Sequence, residues 1–161
     1  MRKTWAPVGR TPVLRHSYRR DKVSAISAVT VSPQRRHVGL YFQLHLRNLT
    51  GTGVLRFVRH LLRHLRGPVV LLWDGGTIHR RADVQAWLRR HRRVECHTFP
   101  SYAPELNPDE FVWTKAKREL SNSDHPEILA LMTHLLRSLR NLQGSQRLLW
   151  SCIEASDLPW P

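Results

Sequence analysis

Two acids in an otherwise basic chain have the types and spacing for chemistry. Asp74 closes the apolar run PVVLLWD (68–74), and Glu110 sits in the stretch FPSYAPELNPDEFVWTKAKREL (99–120). Thirty-five residues lie between them. In an open α/β sheet, ligands gather at the carboxyl ends of strands, where Asp74 would stand. Gly75 and Gly76 leave room there for backbone or substrate to approach. Carboxylates without histidine or cysteine suit Mg²⁺ or Mn²⁺ better than zinc. Two such ions, roughly 3.5–4 Å apart and held from different elements, are a device for phosphodiester chemistry. Asp74 and Glu110 are therefore candidate catalytic and metal-ligating residues.

Local roles compete with this reading. Asn107 suits a helix N-cap, Pro108 the first helical position, and Asp109 and Glu110 the positive helix end. Asp74-Gly75 could start a turn. Helical spacing puts Asp109 with Val112, Trp113 and Ala116, and Glu110 with Thr114 and Lys117. Glu110 then lies at the edge of the core-facing side, near the helix start. Other metal patterns are weaker. His60 and His64 have i, i+4 spacing, but no Glu or Cys joins them. Cys96 and His97 fall on opposite faces of a strand.

The formal charge of +14 calls for a polyanionic partner. Of 26 basic residues only four are lysines, and arginine's planar fork suits phosphate. Nucleic acid fits best, with ribosome-like or membrane-surface binding as the other readings. The arginines of 56–66 and 80–93, Arg80 and Arg81 among them, are candidate phosphate contacts. Lys115 and Lys117 are candidates to position DNA near Glu110. No targeting segment is evident, and the longest strongly apolar run is too short to span a membrane. Two cysteines without a CxxC pattern suit a reducing intracellular compartment.

Stepping from these residues to their supports, alternation predicts strands over 22–32 and 36–46, joined by a turn at SPQRR. The period of 52–67 predicts a helix with Arg56, Arg59, Arg63 and Arg66 outward, stopped by Gly67-Pro68. PVVLLWD reads as a strand buried on both faces. A helix over 78–91, a short strand at VECHTFP, a helix from Asn107 and another over 126–142 follow. The first 20 residues read as an extended arm, and 146–161 as a loosely docked tail after a domain covering 1–145. The order implies one α/β domain with a partly antiparallel sheet flanked by helices.

WDGGTIHR (73–80) followed by YAPELNPDEFVW (102–113) resembles the transposases of the bacterial IS630 family within the Tc1/mariner superfamily, and WAPVGRTP (5–12) resembles their segment after the first strand. The likeness spans about residues 5–120. It implies an RNase H-like fold, a DDE active site and DNA transposition in a bacterial cytoplasm, on double-stranded DNA. Asp74 then matches the second acid and Glu110 the third. Asp109 falls on a variable position, and His79 matches a histidine common after the second acid. The family's first catalytic Asp precedes the WAPxGxTP segment and has no counterpart here; Asp21 is a poor substitute. The resemblance thus implies a truncated domain lacking its first, central strand, acting with an upstream transposase fragment or as a homodimer. The other reading is a non-catalytic, basic DNA-binding remnant.

Overall fold

The computed structural model describes residues 22–120 and 127–159; the amino-terminal arm, the WAPVGRTP segment and Asp21 fall outside the described residues. Strands β1 (Ser24–Val31) and β2 (Val38–His45) form an antiparallel hairpin in register from Ser24 opposite His45 to Val31 opposite Val38. The SPQRR turn is closed by Ser32, whose Oγ accepts from the amides of Arg36 and His37, both at 3.1 Å. Arg35 takes a left-handed φ of 53° to complete it.

Helix α1 (Gly51–His64) starts where Thr50 Oγ1 accepts the Gly53 amide at 3.3 Å. Its apolar period buries Val54, Phe57, Val58 and Leu61, while Arg56, Arg59, Arg63 and Arg66 face solvent as expected. Strand β3 (Val69–Trp73), helix α2 (Ala82–Arg90) and strand β4 (Val94–Thr98) form a parallel unit, with Val69 beside Val94 and Trp73 beside Thr98. A core forms where Val84 and Leu88 of α2 meet Leu71, Trp73 and Val94. The expectation that β3 is buried on both faces is not met. Val70 is 65% exposed and Leu72 41%, because α1 and α2 cover only the side carrying Val69, Leu71 and Trp73.

A short 3-10 turn (Pro104–Leu106) leads into α3 (Pro108–Leu120), then α4 (Ile128–Gln143) and α5 (Gln146–Glu154). These three helices pack on the hairpin around Val38, Leu40, Val112, Ala116, Leu139, Leu142, Leu149 and Cys152. The segment from 146 is therefore no loose tail. Leu149, Cys152 and Ile153 repeat at helical spacing and are completely or almost completely buried. Ser145 caps the helix by accepting the Leu148 amide, and the Asp157 amide donates to the Glu105 carbonyl at 2.9 Å. Gln146 bonds both the N–H and the C=O of Val38, and Gln143 donates to the Leu40 carbonyl. Side-chain amides thus occupy β2's outer edge, where a strand would otherwise have to satisfy the backbone.

The strands form two two-stranded sheets: among the described residues, β1 pairs only with β2 and β3 only with β4. No described helix is long and apolar enough to cross a membrane.

Candidate functional site

Asp74 follows directly on the end of β3 and is held by its own loop. Its Oδ1 accepts the Gly76 amide at 3.0 Å and lies 3.1 Å from His79 Nε2. A Cβ on Gly76 would stand 2.9 Å from that oxygen, so a side chain there would push the Asp74 carboxylate from its place. The His79 ring stacks on Trp73, with centroids 4.5 Å apart. Burial lowers the His79 pKa, against the opposing pull of the Asp74 charge and hydrogen bond. The neutral ring donates from Nε2 to Asp74, leaving Nδ1 a buried acceptor without a partner among the described residues. The turn reading and the ligand reading of Asp74 are compatible: one oxygen organises the loop, and the side chain stays 67% exposed.

Glu110 lies in the first turn of α3. Asn107 begins that turn by accepting the Asp109 amide on Oδ1 at 3.1 Å and the Glu110 amide on its carbonyl at 3.0 Å. With the cap supplied by Asn107, the Glu110 side chain is exposed. Asp74 and Glu110 line one open cleft of ≈ 390 Å³, together with Gly75, Asn107 and the loop from Phe99 to Pro104. The tertiary fold therefore brings to one place the two acids that the sequence separates.

Asp109 departs from its expected role as a cap. Its Oδ2 accepts from Ser27 Oγ at 2.5 Å and from Trp113 Nε1 at 3.1 Å, tying α3 to the middle of β1. The Trp113 indole N–H is shared with Ser27 Oγ at 2.9 Å. Oδ1 of Asp109 is sealed from solvent with no partner among the described residues. Burial raises the Asp109 pKa; the bonds from Ser27 and Trp113 oppose this, and the charges of Glu110 and Asp74 add to it. Sequence reasoning missed Ser27 altogether. The one available signal was the i, i+4 relation of Asp109 to Trp113 on the core-facing side.

The basic candidates divide. Arg80 is exposed, and its guanidinium lies beside the Gly75 backbone at the cleft. Arg81 pairs with Asp83 through Nε at 3.1 Å and Nη2 at 3.3 Å, which holds the Asp83 pKa down and braces the start of α2. Lys117 is exposed on the Glu110 side of α3, whereas Lys115 is half-buried, and its charge opposes the burial that raises the pKa of the Cys152 thiol in α5. Two further arginines have structural partners. Arg93 donates to the Leu62 and Leu65 carbonyls at the end of α1, and Arg59 lies over the Trp87 ring at 5.7 Å. His60 and His64 meet edge to face at 4.8 Å. No group of three or more His, Cys, Asp or Glu among the described residues is placed to hold a metal.

The family profile described as DDE superfamily endonuclease matches residues 1–131. The chain belongs to the DDE endonuclease superfamily. Comparison with curated proteins finds no match. Among solved structures, this DDE endonuclease chain is similar to the catalytic domain of Mos1 mariner transposase, with a TM-score of 0.50 and 13% identity over 83% of this chain and 80% of that one. It is also similar to a chain in the cryo-EM structure of the simian T-cell lymphotropic virus intasome in complex with PP2A regulatory subunit B56 gamma, with a TM-score of 0.50 and 14% identity. That match covers 87% of this chain, which spans 55% of the other. At such identities the likeness is one of fold: a mixed α/β domain with small sheets between helices, as in the mariner catalytic domain.

Proposed function

We propose that this DDE endonuclease chain works as an IS630-type transposase catalytic domain, cutting and joining DNA with Mg²⁺ or Mn²⁺ held by Asp74 and Glu110. The observation that carries the reading is that both acids line one cleft. Two hard carboxylate donors from different elements, open to solvent, fit an oxygen-seeking cation; DNA phosphate and water would complete its shell. When bound, the metal supplies activation of the attacking oxygen and charge stabilisation at the leaving one.

The chain's own residues prepare this site. The Gly76 amide and His79 fix the Asp74 carboxylate, so less side-chain freedom is lost on binding. Asn107 shapes the turn that presents Glu110. Arg80, beside Gly75, offers its guanidinium to a phosphate entering the cleft, with Lys117 further along the Glu110 side of α3.

The test is Mg²⁺- or Mn²⁺-dependent nicking of terminal-repeat DNA. Asp74→Asn or Glu110→Gln should abolish nicking, and nicking unaffected by Asp74→Asn would remove the metal site. DNA binding without nicking in the presence of either ion would favour the second reading, a non-catalytic basic DNA-binding remnant, which the +14 charge also supports.

A further inference from the structure

Tyr102 is fully exposed, at 100%, on the loop between β4 and the 3-10 turn. Its φ is 61°, in the left-handed region that bulky L-residues rarely adopt and that lowers stability. Folding gains nothing from the ring, because none of it is buried. Glycine or asparagine would serve this turn better. Yet the residue lines the same cleft as Asp74 and Glu110, beside Phe99, Pro100 and Pro104. A strained backbone carrying an unburied aromatic at the edge of an acidic cleft has no packing explanation, and contact with a ligand supplies one.

We infer that Tyr102 is a stacking platform for a nucleobase unpaired from the DNA duplex beside the phosphodiester in the cleft. This rests on the proposed function for the identity of the polymer. The chemistry favours a base over a phosphate or a metal. An aromatic face offers neither charge nor a hard donor, whereas every base presents a π-face to it. Arg80, beside Gly75 of the same cleft, offers a phosphate contact that a single ring cannot. The strained turn keeps the ring in solvent and away from the apolar wall behind it, so no rearrangement is needed before a base arrives.

The experiment is fluorescence anisotropy of the full chain in EDTA, with a fully paired duplex and the same duplex carrying one mismatched pair. Working without metal separates the inference from the nuclease reading, which the nicking assay tests. The unmodified chain is expected to prefer the mismatched probe. Tyr102→Ala and Tyr102→Gly should weaken binding of that probe about 5- to 150-fold and leave the paired duplex nearly unchanged. Tyr102→Phe should keep the preference. Tyr102→Gly should melt no lower than the unmodified protein, since glycine relieves the turn, so that a lost preference cannot be ascribed to unfolding. Equal affinity of Tyr102→Ala and the unmodified chain for the mismatched probe would overturn the inference. So would a self-association that Tyr102→Ala abolishes while DNA affinity stays constant. Failure to bind either probe would overturn both this inference and the nucleic-acid reading beneath it.

Discussion

At the residue scale, Asp109 shows how burial changes the meaning of an acid. Its neighbour Glu110 is exposed and free for a ligand, whereas Asp109 is turned inward onto Ser27 and Trp113. A carboxyl group whose pKa is raised in the folded state binds its proton more tightly there than in the unfolded chain. Its contribution is full below the unfolded pKa, near 3.8, and is lost as pH rises through the folded value. Asp109→Asn keeps an acceptor for Ser27 and Trp113 but cannot ionise. The variant should therefore gain stability relative to the unmodified chain as pH rises from acid to neutral, read as a widening difference in denaturation midpoint. A constant difference across that range would show that Asp109 ionises without cost. Helical spacing placed Asp109 on the inward side, but its partner Ser27 is 82 residues away and no local pattern announces it.

At the scale of elements, α5 is the instructive case. RLLWSCIE carries an apolar period, yet its position before PWP suggested a loose end. The structure makes it part of the larger core, where Leu149 and Cys152 are completely buried among α3, α4 and the hairpin. Leu149→Ala should lower stability by about 2–5 kcal/mol, measured by denaturant unfolding. A loss within ~0.5 kcal/mol, as for surface substitutions, would return the segment to a docked tail. Strand β3 errs the other way. Its uniform apolar run promises two covered faces, but exposure depends on which elements lie above and below, a property of the assembled layers. Helices α1 and α2 were more legible, because an amphipathic period reports its own buried side.

At the scale of the whole molecule, the proposed binding of DNA would rest on the arginines. Arg56, Arg63 and Arg66, on and just after α1, are exposed, while Arg81, Arg93 and Arg59 have protein partners and add less to a phosphate-binding surface. If six to ten basic groups engage DNA, affinity should fall about 10³- to 10⁵-fold between 50 and 200 mM salt. A slope equivalent to one or two contacts would show that the charge serves another purpose. The two described sheets, each with its own apolar core, also place the cleft beside a junction that depends on α3. The Asp109 clamp holds α3 to β1, and Asp74 approaches from β3.

Taken alone, the amino-acid order determined which candidate donors the chain carries and the order of elements as far as α4. Residue type decides which donors exist, and periodicity records each element's own burial. The motif pair around Asp74 and Glu110 was legible for that reason, and with it the DDE endonuclease superfamily. Only the tertiary structure decided that both acids face one cleft, that Asp109 is a buried clamp beside them, and that Tyr102 stands unburied at the rim. These facts depend on contacts between residues distant in the chain, and such contacts leave no local periodic trace.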